Sequence, residues 1–304
     1  MTVSHLQTSL TKWGLGIRFA LALLAFSASH SAIAAPPGDL PFGVYDPNGE
    51  FSDDTDVQIE HLFLPWEDVF LQSLSLADEY AQDRSRAVLV TIEPWTWTRS
   101  ERNRPDVLQR GIVRGSYDAN MRAICARLAE FSSPVTVRWG HEMDDGSGQF
   151  IWAGWEPADY IEAYRRAISI CRDVSADIQY MWSPLGFENM TNYYPGDDFV
   201  DVVGLSVFGF EPWERGILGR ARTFKEILTP RYERALTLGK PIVVAELGYS
   251  GSAEYVANWE NSVRQDLDEF EELRAVIYFN QREVYPWPDG YGFPIWIQSD
   301  NIID

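Results

Sequence analysis

Cysteine is nearly missing: Cys125 and Cys171 are the only two in 304 residues. Two cysteines cannot build a zinc site by themselves. The histidines number four, His5, His30, His61 and His141, and are scattered along the chain. No metal or other cofactor is expected. The cysteine pair can bridge in an oxidising compartment, or pack as two small apolar side chains. Cations are scarce as well, 25 Lys and Arg against 45 Asp and Glu, a net charge of −20. Such acidity argues against nucleic acid, anionic polysaccharide and anionic membrane surfaces as partners. Beyond residue 34 no run approaches the ~20 apolar residues of a transmembrane helix. Repeats, low-complexity tracts and Pro/Ser-rich linkers are absent from 40–304. The turn after the first apolar run, Tyr45-Asp46-Pro47-Asn48-Gly49, is not the Gly-rich fingerprint of a dinucleotide site.

The first 34 residues have the layout of a secretory signal. Lys12 and Arg18 form a positive flank, Phe19 to Phe26 a short apolar core, and Ala32-Ile33-Ala34 a small-residue cleavage site. Residues 1–34 are thus expected to be removed, leaving 35–304 as a secreted or periplasmic monomer with no membrane insertion. The segment holds two cations and no acids, so the mature charge would be about −22. The remaining length suits one (β/α)8 barrel.

Short apolar runs alternate with segments of helical period. The runs are Pro41–Tyr45, Ile59–Trp66, Ala87–Trp95, Val135–Trp139, Ile178–Trp182, Val200–Phe208, Ile242–Ala245 and Ala275–Phe279. They lack strict polar alternation, as strands buried on both faces do. Met121, Ile124, Cys125 and Leu128 share one helical face, as do Ile161, Tyr164, Ile168 and Cys171, and Val256, Val263, Leu267 and Phe270. Eight strands alternating with helices predict an α/β fold, a single-domain (β/α)8 TIM barrel.

Two of these runs end in a carboxylate, Glu142 and Glu246. A carboxylate is costly to bury unpaired, so this pattern points to paired acids at the mouth of a parallel sheet. At ~31 residues per strand–helix unit, their spacing puts them on strands four and seven. The carboxyl ends of the strands, where barrel active sites lie, also carry Trp66, Glu93, Trp95, Trp97, Arg138, His141, Trp182, Phe208 and Asn280. Aromatic platforms beside acceptors and few cations fit a neutral glycan. His141-Glu142 is not a zinc-protease helix, because position 145 is Asp. Asp144-Asp145-Gly146-Ser147-Gly148 lacks the spacing and final Glu of a calcium loop. No Gly-x-Ser-x-Gly elbow supports a serine triad.

Val137-Arg138-Trp139-Gly140-His141-Glu142-Met143, Trp182-Ser183-Pro184, Tyr194 through Gly204, Gly239-Lys240-Pro241-Ile242 with Ala245-Glu246-Leu247-Gly248, and Ile277-Tyr278-Phe279-Asn280 occur in that order. In these stretches the chain resembles glycoside hydrolase family 26, whose best-known members are β-mannanases. The resemblance implies retaining, double-displacement hydrolysis of internal β-linkages, in mannan, mixed-linkage β-glucan, β-1,3-xylan or a bacterial exopolysaccharide. Glu142 would be the general acid/base, Glu246 the nucleophile, and His141 a contact to the reacting sugar. Arg138 would stabilise ionised Glu246. Trp95, Trp152, Trp182, Phe208 and Asn280 complete the candidate substrate contacts.

Two positions depart from the family pattern. Gly148 or Gln149 stands where a substrate-stacking Trp is usual, with Trp152 matching a later aromatic. Phe208 replaces a Tyr that hydrogen-bonds the nucleophile, a loss worth ~1.5–3 kcal/mol. Slower turnover on ordinary mannan is the expectation. The alternative is a catalytically weak glycan-binding barrel that assists polysaccharide export or remodelling.

Overall fold

A computed structural model describes residues 40–67, 69–96, 104–265 and 267–303; the signal expected at 1–34 and Trp97 lie outside them. Eight strands form the centre: β1 (Phe42–Tyr45), β2 (Val57–Pro65), β3 (Ala87–Glu93), β4 (Val135–Trp139), β5 (Gln179–Trp182), β6 (Val202–Phe210), β7 (Ile242–Ser250) and β8 (Leu273–Phe279). Each pairs in parallel with its sequence neighbours, and β8 closes on β1. The helices are α1 (Ser73–Asp83), α2 (Pro105–Val113), α3 (Asp118–Leu128), α4 (Pro157–Arg172), the one-turn α5 (Glu211–Trp213), α6 (Phe224–Leu236) and α7 (Ala253–Gln265). The expected (β/α)8 barrel is the observed fold.

Local chemistry sets the helix ends. Pro157 opens α4, where its missing N–H has no intrahelical partner to lose. The Thr223 hydroxyl and the Glu226 carboxylate cap each other's backbone N–H at the start of α6. Gly239, with φ of 63°, turns the chain out of α6 toward β7. The face predicted for α3 is buried throughout, and Cys125 is disulfide-bonded to Cys171 of α4. On the third predicted face, Leu267 and Phe270 lie past the end of α7, on a 3-10 turn and the link to β8.

Two strands run further than their apolar cores suggest. β6 reaches Phe210 and β7 reaches Ser250, because Val207–Phe210 pair residue for residue with Leu247–Ser250. Glu246 therefore lies within β7 rather than at its end.

The barrel interior is layered. Strand alternation puts every second side chain inside. Leu89, Met181, Val243, Ala245, Ala275 and Ile277 form an apolar cluster separate from the main helix–sheet core. One pleat further along, the inward positions turn polar: His61 on β2, Thr91 on β3, Arg138 on β4 and Ser206 on β6, each no more than 1% exposed. Such a buried polar layer must be satisfied internally, and it forms the floor of the site.

Candidate active site

Glu246 enters this layer through a backbone irregularity. Along β6–β7, Leu205 pairs with Val244 and the next residue, Ser206, pairs with Glu246; the β7–β8 register also shifts between Val244 and Leu247. One extra residue therefore sits in β7 at 245–246. In a regular strand Glu246 would face away from Ala245. The bulge turns it to the same side, a common use of bulges beside functional sites. There its Oε1 accepts from Arg138 Nη1 at 2.5 Å, with the guanidinium fully buried.

Glu142 arrives from β4 through a sharp turn. Gly140 has φ of 53° and Glu142 itself 55°, a left-handed conformation costing a side-chain-bearing residue about 1–3 kcal/mol. Three contacts hold the turn: Glu142 N–H donates to the Ser183 carbonyl at 2.7 Å, Tyr160 donates to the Gly140 carbonyl, and Trp152 donates to that of His141. Asp144 anchors the next stretch by accepting from the backbone N–H groups of Leu185, Gly186 and Phe187. The acid-rich loop after Glu142 is thus tied to the β5 loop by protein donors. Among the described residues, no cluster of His, Cys, Asp or Glu could hold a metal.

The two carboxylates share a site but sit in different fields. Burial, and then the negative charge of Glu246, push Glu142 up to about 8 from an ordinary 4.5. Burial also raises Glu246, yet the Arg138 charge and hydrogen bond oppose it directly. Ionisation of the pair therefore falls first on Glu246, and Glu142 keeps its proton. His61 and His141 are held neutral at ordinary pH, first by burial and then by Arg138. His61 Nε2 lies 2.7 Å from Thr91 Oγ1, which also accepts from Arg138 Nη1 at 3.3 Å. Nε and Nη2 of Arg138 and Nδ1 of His141 have no protein partner despite their burial.

The remaining sequence candidates divide. Trp95 is half-buried, edge-on to Trp152, and keeps accessible surface. Trp152 and Trp182 are fully buried, so neither ring face can stack on a sugar; Trp152 packs behind His141 instead. Asn280 is also fully buried. It donates to Asp46 and Glu50 and accepts from Gln298 N–H, tying β8 to the loop after β1. Phe208 is half-buried at the rim, against Trp296, Phe279 and Trp287.

Several neighbours escaped the sequence reading. Ser206 donates to Glu142 Oε1 at 2.5 Å. Tyr45, on β1, stacks on Phe279 and carries a hydroxyl raised by burial and by Glu93 and Glu246. Glu283, in the segment after β8, accepts from Trp296 Nε1 and from two backbone N–H groups, and its charge reaches both Glu142 and Glu246. Period-two reading of β1 and β6 could have flagged Tyr45 and Ser206; Glu283 lies in irregular chain and had no such signal.

Residues 113–227, which include β4 and Glu142, match glycosyl hydrolase family 26. A β-1,3-xylanase from Vibrio sp. is 30% identical over 115 residues, 35% of this chain and 24% of the relative. A mannan endo-1,4-β-mannosidase from Bacillus subtilis is 29% identical over 148 residues, 43% of this chain and 36% of the relative. The matched stretches are thus a minor part of these curated relatives. In fold, the chain is similar to GH26C from Muricauda sp., with a TM-score of 0.62 and 16% identity over 82% of this chain and 80% of that one. The chain thus matches glycosyl hydrolase family 26 across the stretch that holds β4 and Glu142, and carries it on a closed eight-stranded barrel.

Proposed function

We propose that the chain is a retaining endo-β-glycosidase acting on a neutral polysaccharide, exported by removal of residues 1–34. The observation that carries this reading is the buried pair: Glu246 bound to the Arg138 guanidinium, beside a Glu142 that burial and then the charge of Glu246 push toward its protonated form. Glu142 protonates the glycosidic oxygen while Glu246 attacks the anomeric carbon, giving a glycosyl ester on Glu246. Esterification removes the charge of Glu246, so the like-charge contribution to Glu142 disappears and Glu142 becomes easier to ionise. It then serves as base for the water that cleaves the ester. Neutral His141 lines the site of the reacting sugar, and the buried Arg138 acts through Glu246. Trp95 and Phe208 supply the accessible aromatic surface.

The relatives' names span β-1,3-xylan and β-1,4-mannan, and the substrate proposed for this chain is a neutral β-glycan. The test is a panel of β-1,4-mannan, mixed-linkage β-glucan and β-1,3-xylan, scored for reducing ends and product size. The parent should cleave at least one internally, and Glu142→Ala and Glu246→Ala should each abolish cleavage. No release from any glycan, with binding unchanged in both variants, overturns the proposal.

A further inference from the structure

Both carboxylates are held by one oxygen. Oε1 of Glu246 is taken by Arg138, and Oε1 of Glu142 by the Ser206 hydroxyl. Ser206 is fully buried, and its own position is fixed from two sides. It is paired with Glu246 across the β6–β7 register. Its carbonyl accepts from Arg231 Nη1, which enters from α6. A hydroxyl has one proton to give. Given to Oε1, it leaves Oε2 as the oxygen that carries the acidic proton.

We propose that Ser206 is a positioning residue for the acid/base step, holding Oε1 of Glu142 so that the transferable proton sits on Oε2. The inference rests on the glycosidase reading above. In the first step the proton leaves Oε2 for the glycosidic oxygen as the bond from that oxygen to the anomeric carbon breaks, and Oε2 of Glu246 forms the ester. In the second step a water proton passes to Oε2 of Glu142, the hydroxide oxygen bonds to the anomeric carbon, and the ester bond returns its electron pair to Glu246. Without Ser206 the carboxyl group can rotate, and the proton is no longer committed to the oxygen facing the leaving group.

The charged groups facing Glu142 are Glu246 from β7, Arg138 from β4, Glu283 from the segment after β8 and Arg231 from α6. None is altered by Ser206→Ala. That variant also loses a donor that favours ionised Glu142, so the basic limb of its pH profile should move to higher pH. The probes are whichever polysaccharide of the panel is cleaved and the 2,4-dinitrophenyl β-glycoside of its disaccharide unit, read as kcat/KM. Dinitrophenolate leaves without protonation. Ser206→Ala should fall roughly 10- to 100-fold on the polysaccharide, the worth of a hydrogen bond to a charged group, and at least about fivefold less on the aryl glycoside. Ser206→Cys, which fills the same space with a weak donor, should show the same split in smaller measure. A 13C-carboxyl NMR titration should show Glu142 titrating higher in Ser206→Ala than in the parent. Equal falls on both substrates, with limb and titration unmoved, would reduce Ser206 to packing and overturn the proposal. Glu142→Ala with azide separates the two levels. Rescue on the aryl glycoside upholds the acid/base reading whatever Ser206 does; a Glu142→Ala variant as active as the parent overturns both.

Discussion

Glu142→Gln should make the folded protein more stable, by an amount that grows with pH. Glu142 has an ordinary carboxyl value of 4.5 when unfolded and is pushed up to about 8 by burial and by Glu246 in the fold. Between those values the folded protein binds a proton that the unfolded chain releases, so stability falls as pH rises. The slope is about 1.4 kcal/mol per pH unit. From pH 4.5 to pH 7 the loss reaches about 3 kcal/mol, and it levels off once the folded protein also ionises. Gln carries no proton to lose, and its amide oxygen can still accept from Ser206. The assay is urea unfolding of both proteins at pH 5, 6, 7 and 8, and it needs no substrate. The difference should be small at pH 5 and grow steadily in favour of the variant to pH 8. A difference independent of pH would mean that Glu142 titrates as an exposed carboxylate, and the assignment of the proton to it would fail.

Removing Arg138 should expose the other half of the pair. In Arg138→Met, Glu246 keeps its burial but loses its cation, so it protonates more readily; the acidic limb of kcat/KM should move to higher pH, with stability reduced by about 3–5 kcal/mol. An unmoved limb would separate Arg138 from the ionisation of Glu246. Phe208→Tyr should raise turnover on mannan by restoring a hydroxyl at the rim; a rate equal to or below the parent's would count against that reason for slow turnover. The Cys125–Cys171 bridge closes 46 residues of chain, for which loop entropy gives about 4 kcal/mol. The Cys125→Ser/Cys171→Ser double variant should lose stability on that order in urea unfolding, and equal midpoints would show the bridge to be dispensable.

Much of this was legible from sequence, for a physical reason. Strands buried on both faces are mostly apolar, so the eight runs and the spacing of Glu142 and Glu246 gave the barrel and its acid-bearing strands. The bulge in β7 was not legible: Ala245-Glu246 reads as strand in either geometry, and only pairing with β6 and β8 reveals the extra residue. The tryptophans misled because a ring at a strand end can face the cavity or the helices. Trp152 and Trp182 took the buried side. Asn280 has hydrogen-bonding groups that suit a sugar equally well, but it spends them on Asp46, Glu50 and Gln298. Ser206 escaped notice because period-two reading marks it only as an inward position of β6, and its partner Glu142 arrives from β4.

The most direct test of the account is the configuration of the first product. Proton NMR during hydrolysis of the cleaved β-glycan, recorded before mutarotation, should show the β-anomer at the new reducing end appearing first, as displacement by Glu246 followed by water requires. The α-anomer appearing first would contradict it, because water would then have attacked directly and Glu246 could not be the nucleophile.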